Sequence, residues 1–287
     1  MVLAVLLALA SGSTWAIGMT IVKPALRHID VLSYLLWRWV IVTVVALAFS
    51  IATGALSFPS VYAVGMAALA GFVDSTLGGL TYAMAMQRTP AYQTTALAST
   101  APVWGVAAAV LLLSEPLRWQ VAVAAAFAVL GAYFLVGKKL RIREHMAGSA
   151  LALLTGFLWG LAETIPSKLA LNAGMSPASL LVVFAASGVV TIAMMLPLFR
   201  RRYPRRVTRK GIGLTLVAAF GGAFLGWILW LTALDLAPAS VVSPIRGSTL
   251  VFALIYSMLF LRERPGRRAL LGAGLVLAGV VLVSTVG

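Results

Sequence analysis

Ten apolar runs, each of about 18 residues or more, follow one another through this chain. They lie near 2–22, 31–53, 61–86, 91–113, 117–137, 147–171, 177–199, 211–235, 239–261 and 269–286. A run of that length with few charges crosses the hydrocarbon layer as a helix. Hydrophobic residues make up 62% of the chain and charged residues 10%, where a soluble domain carries about 25% charge. The expected fold is an all-α integral membrane protein. Met1–Val22 lacks a basic leader and a cleavage site followed by polar chain, so it is read as a retained transmembrane helix. Most connections are short and hold breakers such as Pro24, Pro59, Pro90, Pro116, Pro177, Pro204, Pro238 and Pro265.

The net charge of +15 belongs to topology rather than to nucleic acid. The cations cluster in the odd-numbered connections: Lys23 and Arg27, Arg88, Lys138 to Arg143, Arg200 to Lys210, and Arg262 to Arg268. Even-numbered connections hold little beyond Arg118 and Lys168. The positive-inside rule then expects odd loops in the cytoplasm and both termini outside a multi-pass cell-membrane protein. The basic run FRRRYPRRVTRKG suits anionic lipid headgroups, and no nucleic-acid partner is expected.

The chain repeats itself. At an offset of 148, Phe72, Leu77, Gly78, Ala85, Pro90, Ala91, Leu113, Glu115 and Gly131 meet identical residues, from Phe220, Leu225 and Gly226 through Glu263 to Gly279. The first helices align at 144, placing Gly12 and Trp15 on Gly156 and Trp159. The expected units are 1–140 and 147–287, five spans each. An odd number of spans forces the second unit to insert upside down, and inverted repeats around a midplane site are a common transporter design. Two fused repeats make a monomer sufficient.

Charges inside spans cost at least about 2.5 kcal/mol, so they face an interior and carry a task. Glu163 lies mid-span in GFLWGLAETIPSKL, one turn after Trp159, and Asp74 lies in the third span. Arg246 lies in SPIRGST, where Pro244 and Gly247 loosen the helix and free backbone carbonyls. It is expected to meet substrate or to neutralise Glu163 or Asp74. Asp74, Gly78 and Tyr82 are spaced on one face, and their repeat partners are Gly222, Gly226 and Trp230. Trp15, Asp74, Tyr82, Trp159, Glu163, Trp230 and Arg246 are therefore the candidate substrate-binding residues. Arg38 is read as structural or snorkelling, and Trp37, Trp39 and Trp119 as interfacial anchors. Asp30, Glu115, Glu144, Asp235 and Glu263 are read as caps or local ion pairs at helix ends. Gly274, Ala278, Gly131 and Gly279 are read as helix-packing residues. With no cysteine, and both histidines (His28 and His145) in loops, no metal, cofactor or catalytic residue is assigned.

These residues resemble a known family. Trp15 to Lys23 spans the same steps as the opening tryptophan-to-lysine motif of the EamA repeat. Glu115 and Glu263 follow apolar helices as the family's Gly-Glu-Arg/Lys turn does, and Arg38 with Trp39 is similar to its Arg-aromatic pair. The resemblance covers the whole chain as two units. It implies the drug/metabolite transporter superfamily: a secondary transporter, exporter or exchanger, moving small organic solutes through a pocket between the halves. Amino acids and organic cations are the candidate substrates, and Glu163 is the candidate carrier of a coupling proton or of a substrate cation. No Walker motif occurs. A lipid flippase, or a membrane-embedded lipid enzyme, is the alternative.

Overall fold

The computed structural model describes residues 1–89, 91–136, 146–199, 206–261 and 266–286. The basic residues expected at 138–143, 200–205 and 262–264 lie outside them, as do Pro90, Glu144, His145, Pro204, Glu263 and Pro265. The described chain forms ten helical spans: α1 (Val2–Leu26), α2 (Val31–Ala52), α3 (Val61–Arg88), α4 in two pieces (Ala91–Ala98 and Ala101–Leu112), and α5 (Trp119–Val136). The second set is α6 (Met146–Asn172), α7 (Pro177–Phe199), α8 (Arg209–Leu236), α9 in three pieces (Ala239–Val242, Ser243–Gly247 and Ser248–Leu261), and α10 (Arg267–Ser284). Among the described residues nine spans are long and apolar enough to cross a membrane, and the apolar stretch Trp119–Phe134 of α5 is shorter.

Local chemistry sets the boundaries. The Asp30, Ser60 and Thr208 side chains accept from the backbone N–H groups of Ser33, Ala63 and Gly211, which starts α2, α3 and α8. Gly54 and Gly174 take positive φ just past α2 and α6, conformations that side chains with a Cβ resist. The cap residues also tie the halves together. Asp30 accepts from Arg206 N–H at 3.0 Å, joining the loop after α1 to the loop after α7. Its counterpart Ser176 donates to Ala55 O at 2.7 Å, joining the loop after α6 to the loop after α2.

The packing is an exchange between repeats. Helix α1 lies on α8 and α9, while its counterpart α6 lies on α3 and α4. Helix α2 packs on α7 and α8, and α7 packs on α2 and α3. Helices α5 and α10 pair with each other. Gly131 faces the Gly272 carbonyl and Val276 there, and Gly279 faces Ala124, so both serve close approach. Gly274 and Ala278 do not: both are exposed, and a Cβ at Gly274 would meet nothing within 4 Å. The small-residue spacing in α10 is real, but its packing seam runs through Gly272 and Gly279 instead.

Both halves widen their third helix by a π-helical turn, at Phe72–Gly78 in α3 and Ala218–Phe224 in α8. Such turns disturb the backbone ladder and concentrate at functional sites. Both halves also interrupt their fourth helix. Helix α4 breaks at Ser99–Thr100, and α9 tightens into a 3₁₀ turn over Ser243–Gly247 at the equivalent place. The loosening expected from Pro244 and Gly247 is therefore present as a tightened turn. Residues of both π-helical turns and of the 3₁₀ turn lie around one central cavity, which Trp15 of α1 and Trp159 of α6 also line.

Candidate functional site

At the centre Trp15 of α1 packs against Gly226 of α8, and Trp159 of α6 packs against Gly78 of α3. The glycines create the space: a Cβ on Gly78 would fall 2.6 Å from Trp159 Nε1. Each indole is backed by an equivalent aromatic. The Trp159 and Tyr82 ring centroids lie 5.0 Å apart, and those of Trp15 and Trp230 lie 5.3 Å apart. The hydrogen bonds match as well. Ser11 Oγ donates to Gly226 O at 2.8 Å. In the other half Thr155 Oγ1 donates to Thr81 Oγ1 at 2.9 Å, and Thr81 Oγ1 donates onward to Gly78 O at 3.0 Å.

The symmetry stops at the charges. Met19 occupies in the first repeat the position that Glu163 holds in the second, and Ala98 stands opposite Arg246. The Arg246 guanidinium lies 5.2 Å from the Trp15 ring and 5.0 Å from the Trp159 ring, held between the two related indoles. Its Nε lies 2.5 Å from Glu163 Oε2, an ion pair made without hydrogen-bond angles. Glu163 is 2% exposed and Arg246 8%. Arg246 is therefore the salt-bridge partner of Glu163, and among the described residues no salt bridge joins it to Asp74. Cation–π contact adds about 0.5–2 kcal/mol per ring to an arginine in such a sandwich.

Around this pair lies a cavity of about 60 Å³, room for a handful of water molecules. Trp15, Asp74, Tyr82, Trp159, Glu163 and Arg246 all line it. Trp230 does not. It is 1% exposed and stacks behind Trp15, so its part is to hold that indole in place. The lining also includes residues that the sequence assigned elsewhere. Trp39 is 1% exposed and packs on Phe184, which removes it from the membrane interface. Trp37 and Trp119 are exposed, as interfacial residues are. Arg38 lines the cavity with its guanidinium 5.0 Å from the Trp39 ring, so it does not snorkel outward. Tyr34 and Ser75 line it too, and sequence reasoning passed over both. The signal for Tyr34 was its place one turn before Arg38 in the run YLLWRW of α2, and the signal for Ser75 was its place beside Asp74 in α3.

The cavity occupies one half of the molecule's depth. Its α1 residues run from Trp15 through Gly18 and Met19 to Val22, toward the end of α1 that leads into the first loop. Tyr34, Leu35 and Arg38 stand within the first two turns or so of α2, counted from that loop. The opposite, even-loop end is bound by charged groups. Glu115 accepts from Ala239 N–H at 2.9 Å and from Ser240 N–H at 2.8 Å, capping α9 from 124 residues away. Lys168 Nζ donates to Leu234 O and, at 3.0 Å, to Ala237 O. Glu115 is thus a cap, as expected, but a long-range one. Among the described residues no three His, Asp or Glu side chains gather as metal ligands.

A family model described as the EamA-like transporter family matches residues 2–137 and 146–285. No curated protein matches the chain. A solved structure described only as a crystal structure of a protein is similar in fold: TM-score 0.83, 15% sequence identity, covering 99% of each chain.

Proposed function

The chain belongs to the EamA-like transporter family, and on that premise we propose that it is a secondary transporter of small organic solutes working by alternating access. The observation that carries this reading is the cavity between the halves, with the Arg246–Glu163 pair at its centre. Polar groups at broken helices between repeats are where transported solutes and ions bind. Positive-inside counting puts the odd loops in the cytoplasm. The cavity then reaches toward the cytoplasm, while the Glu115 and Lys168 contacts close the outer end. Transport requires those outer contacts to part when the inner end closes, the two halves rocking about the tryptophan pair.

Glu163 holds either a coupling proton or the cationic part of the solute. Purified protein is first screened by melting point against amino acids, amines and sugars, since a ligand of the folded state alone raises it. Proteoliposomes then take up the solute found. Glu163→Gln should lower that uptake about tenfold or more, because it removes a charge paired in a buried site. Uptake by the variant equal to wild type, with the same pH profile, would take Glu163 out of the mechanism. Movement of a labelled lipid between leaflets, with no solute uptake, would replace the proposal by a flippase.

A further inference from the structure

Four polar groups beside the central ion pair have no hydrogen-bond partner in the protein. Tyr34 Oη, Arg38 Nε, Trp39 Nε1 and Ser75 Oγ are all buried without a hydrogen bond. Tyr34, Trp39 and Ser75 are each at most 2% exposed. Buried polar groups without a hydrogen bond are costly and rare, so several around one cavity call for a partner that enters it. All four side chains line the same cavity. Among the described residues no salt bridge involves Arg38. Asp74, 5% exposed, lines the same cavity, and among the described residues no salt bridge involves it.

The central pair is differently placed. Arg246 and Glu163 neutralise each other, and both faces of the Arg246 guanidinium are covered by indoles. Glu163 already stands at the Nε edge of Arg246. Arg38 offers a fork of donors with no carboxylate already on it. One turn along α2, Tyr34 adds a hydroxyl, and Trp39 adds an indole N–H. A guanidinium fork with flanking neutral donors is the recognition set for a planar anion.

We infer that Arg38, with Tyr34 and Trp39, forms a carboxylate subsite of the transport cavity, and that Asp74 takes the ammonium group of the same small zwitterion. The inference rests on the cavity being the transport site and deepens that reading by assigning the solute's charged ends. Arg246 and Glu163 then act as the central lock rather than as the first contacts of the solute. The cavity is lined by two arginines and two acidic side chains, so each charged end of a zwitterion finds a group of the complementary kind.

The test uses purified full-length protein in lipid nanodiscs with three probes: alanine, acetate and methylammonium. Tryptophan fluorescence and melting point report binding. In wild type all three bind, alanine most tightly. Arg38→Gln should raise the half-saturating concentration of alanine and acetate about ten- to a hundredfold, and leave methylammonium within about twofold. Asp74→Asn should reverse that pattern. Arg38→Lys should lie between, since it keeps the charge and loses the fork. Should Arg38→Gln fail to fold, Arg38→Lys with Tyr34→Phe carries the same comparison. Loss of all three probes at once, or loss of anions in Arg246→Gln but not in Arg38→Gln, overturns the assignment. So does a wild type that binds none of them. Uptake of labelled alanine into proteoliposomes separates the two readings. Anion-selective binding without uptake would sink the transporter and keep the subsite, whereas uptake unchanged in Arg38→Gln would do the reverse.

Discussion

Arg246→Met should lower the melting point of the protein by roughly 10 °C. The variant leaves Glu163 buried with no counter-charge, and breaking one side of a buried pair costs about 3–5 kcal/mol. A chain of this size loses about 2–4 °C per kcal/mol. The double variant Arg246→Met with Glu163→Gln should recover more than half of the loss, because no charge is then left uncompensated. Equal melting of Arg246→Met and wild type would mean that the pair holds nothing together. A double variant less stable than either single one would mean that the two residues act separately. Thermal unfolding followed by tryptophan fluorescence reads both outcomes, and Trp15 and Trp159 stand beside the change.

The second large effect concerns the two indoles. Gly78→Ala and Gly226→Ala each drive a methyl group into a tryptophan ring that has aromatic side chains behind it. Trp159 is backed by Tyr82, and Trp15 by Trp227 and Trp230, so neither ring has an easy retreat. Overpacking of this kind costs about 1–3 kcal/mol. Each variant should therefore melt roughly 5 °C lower, and the two should match closely because their surroundings are equivalent. Displaced indoles also uncover Arg246, so uptake should fall in both. A large loss for one glycine and none for the other, read in the same melting assay, would contradict the equivalence of the halves.

The sequence made the membrane class plain because ten long apolar runs have no other physical use. The repeat was visible because identical residues recur at one spacing. Glu163, Arg246 and Asp74 stood out because charge inside a span is rare and costly. The faces of the helices were harder to read. A helix that is apolar all round carries no stripe to say which side meets lipid and which meets protein. Arg38 and Trp39 suffered from this. An arginine beside tryptophans near a span end is the pattern of an interfacial anchor, and the same residues rotated inward line a cavity. Trp230 suffered in the opposite sense. Its spacing with Gly222 and Gly226 put it on the inner face, but the layer of Trp15 in front of it could not be seen from spacing alone. The partner of Glu115 was hidden because it lies in the other repeat, although a glutamate at the same place in both units was the available sign. The π-helical turns of α3 and α8 fall two residues out of repeat register, at Phe72–Gly78 and Ala218–Phe224, so the Phe, Leu and Gly that the repeats share there did not mark them.

The central claim is that two five-helix units stand in opposite senses around one polar site. Gln87 and Asp235 are repeat equivalents, and both are exposed at the far ends of α3 and α8. The chain has no cysteine, so Gln87→Cys and Asp235→Cys each carry a single thiol. A membrane-impermeant maleimide applied to intact cells should label Asp235→Cys at once, and Gln87→Cys only after the membrane is opened. Labelling of both from the same side would contradict the inverted arrangement and with it the site between the halves.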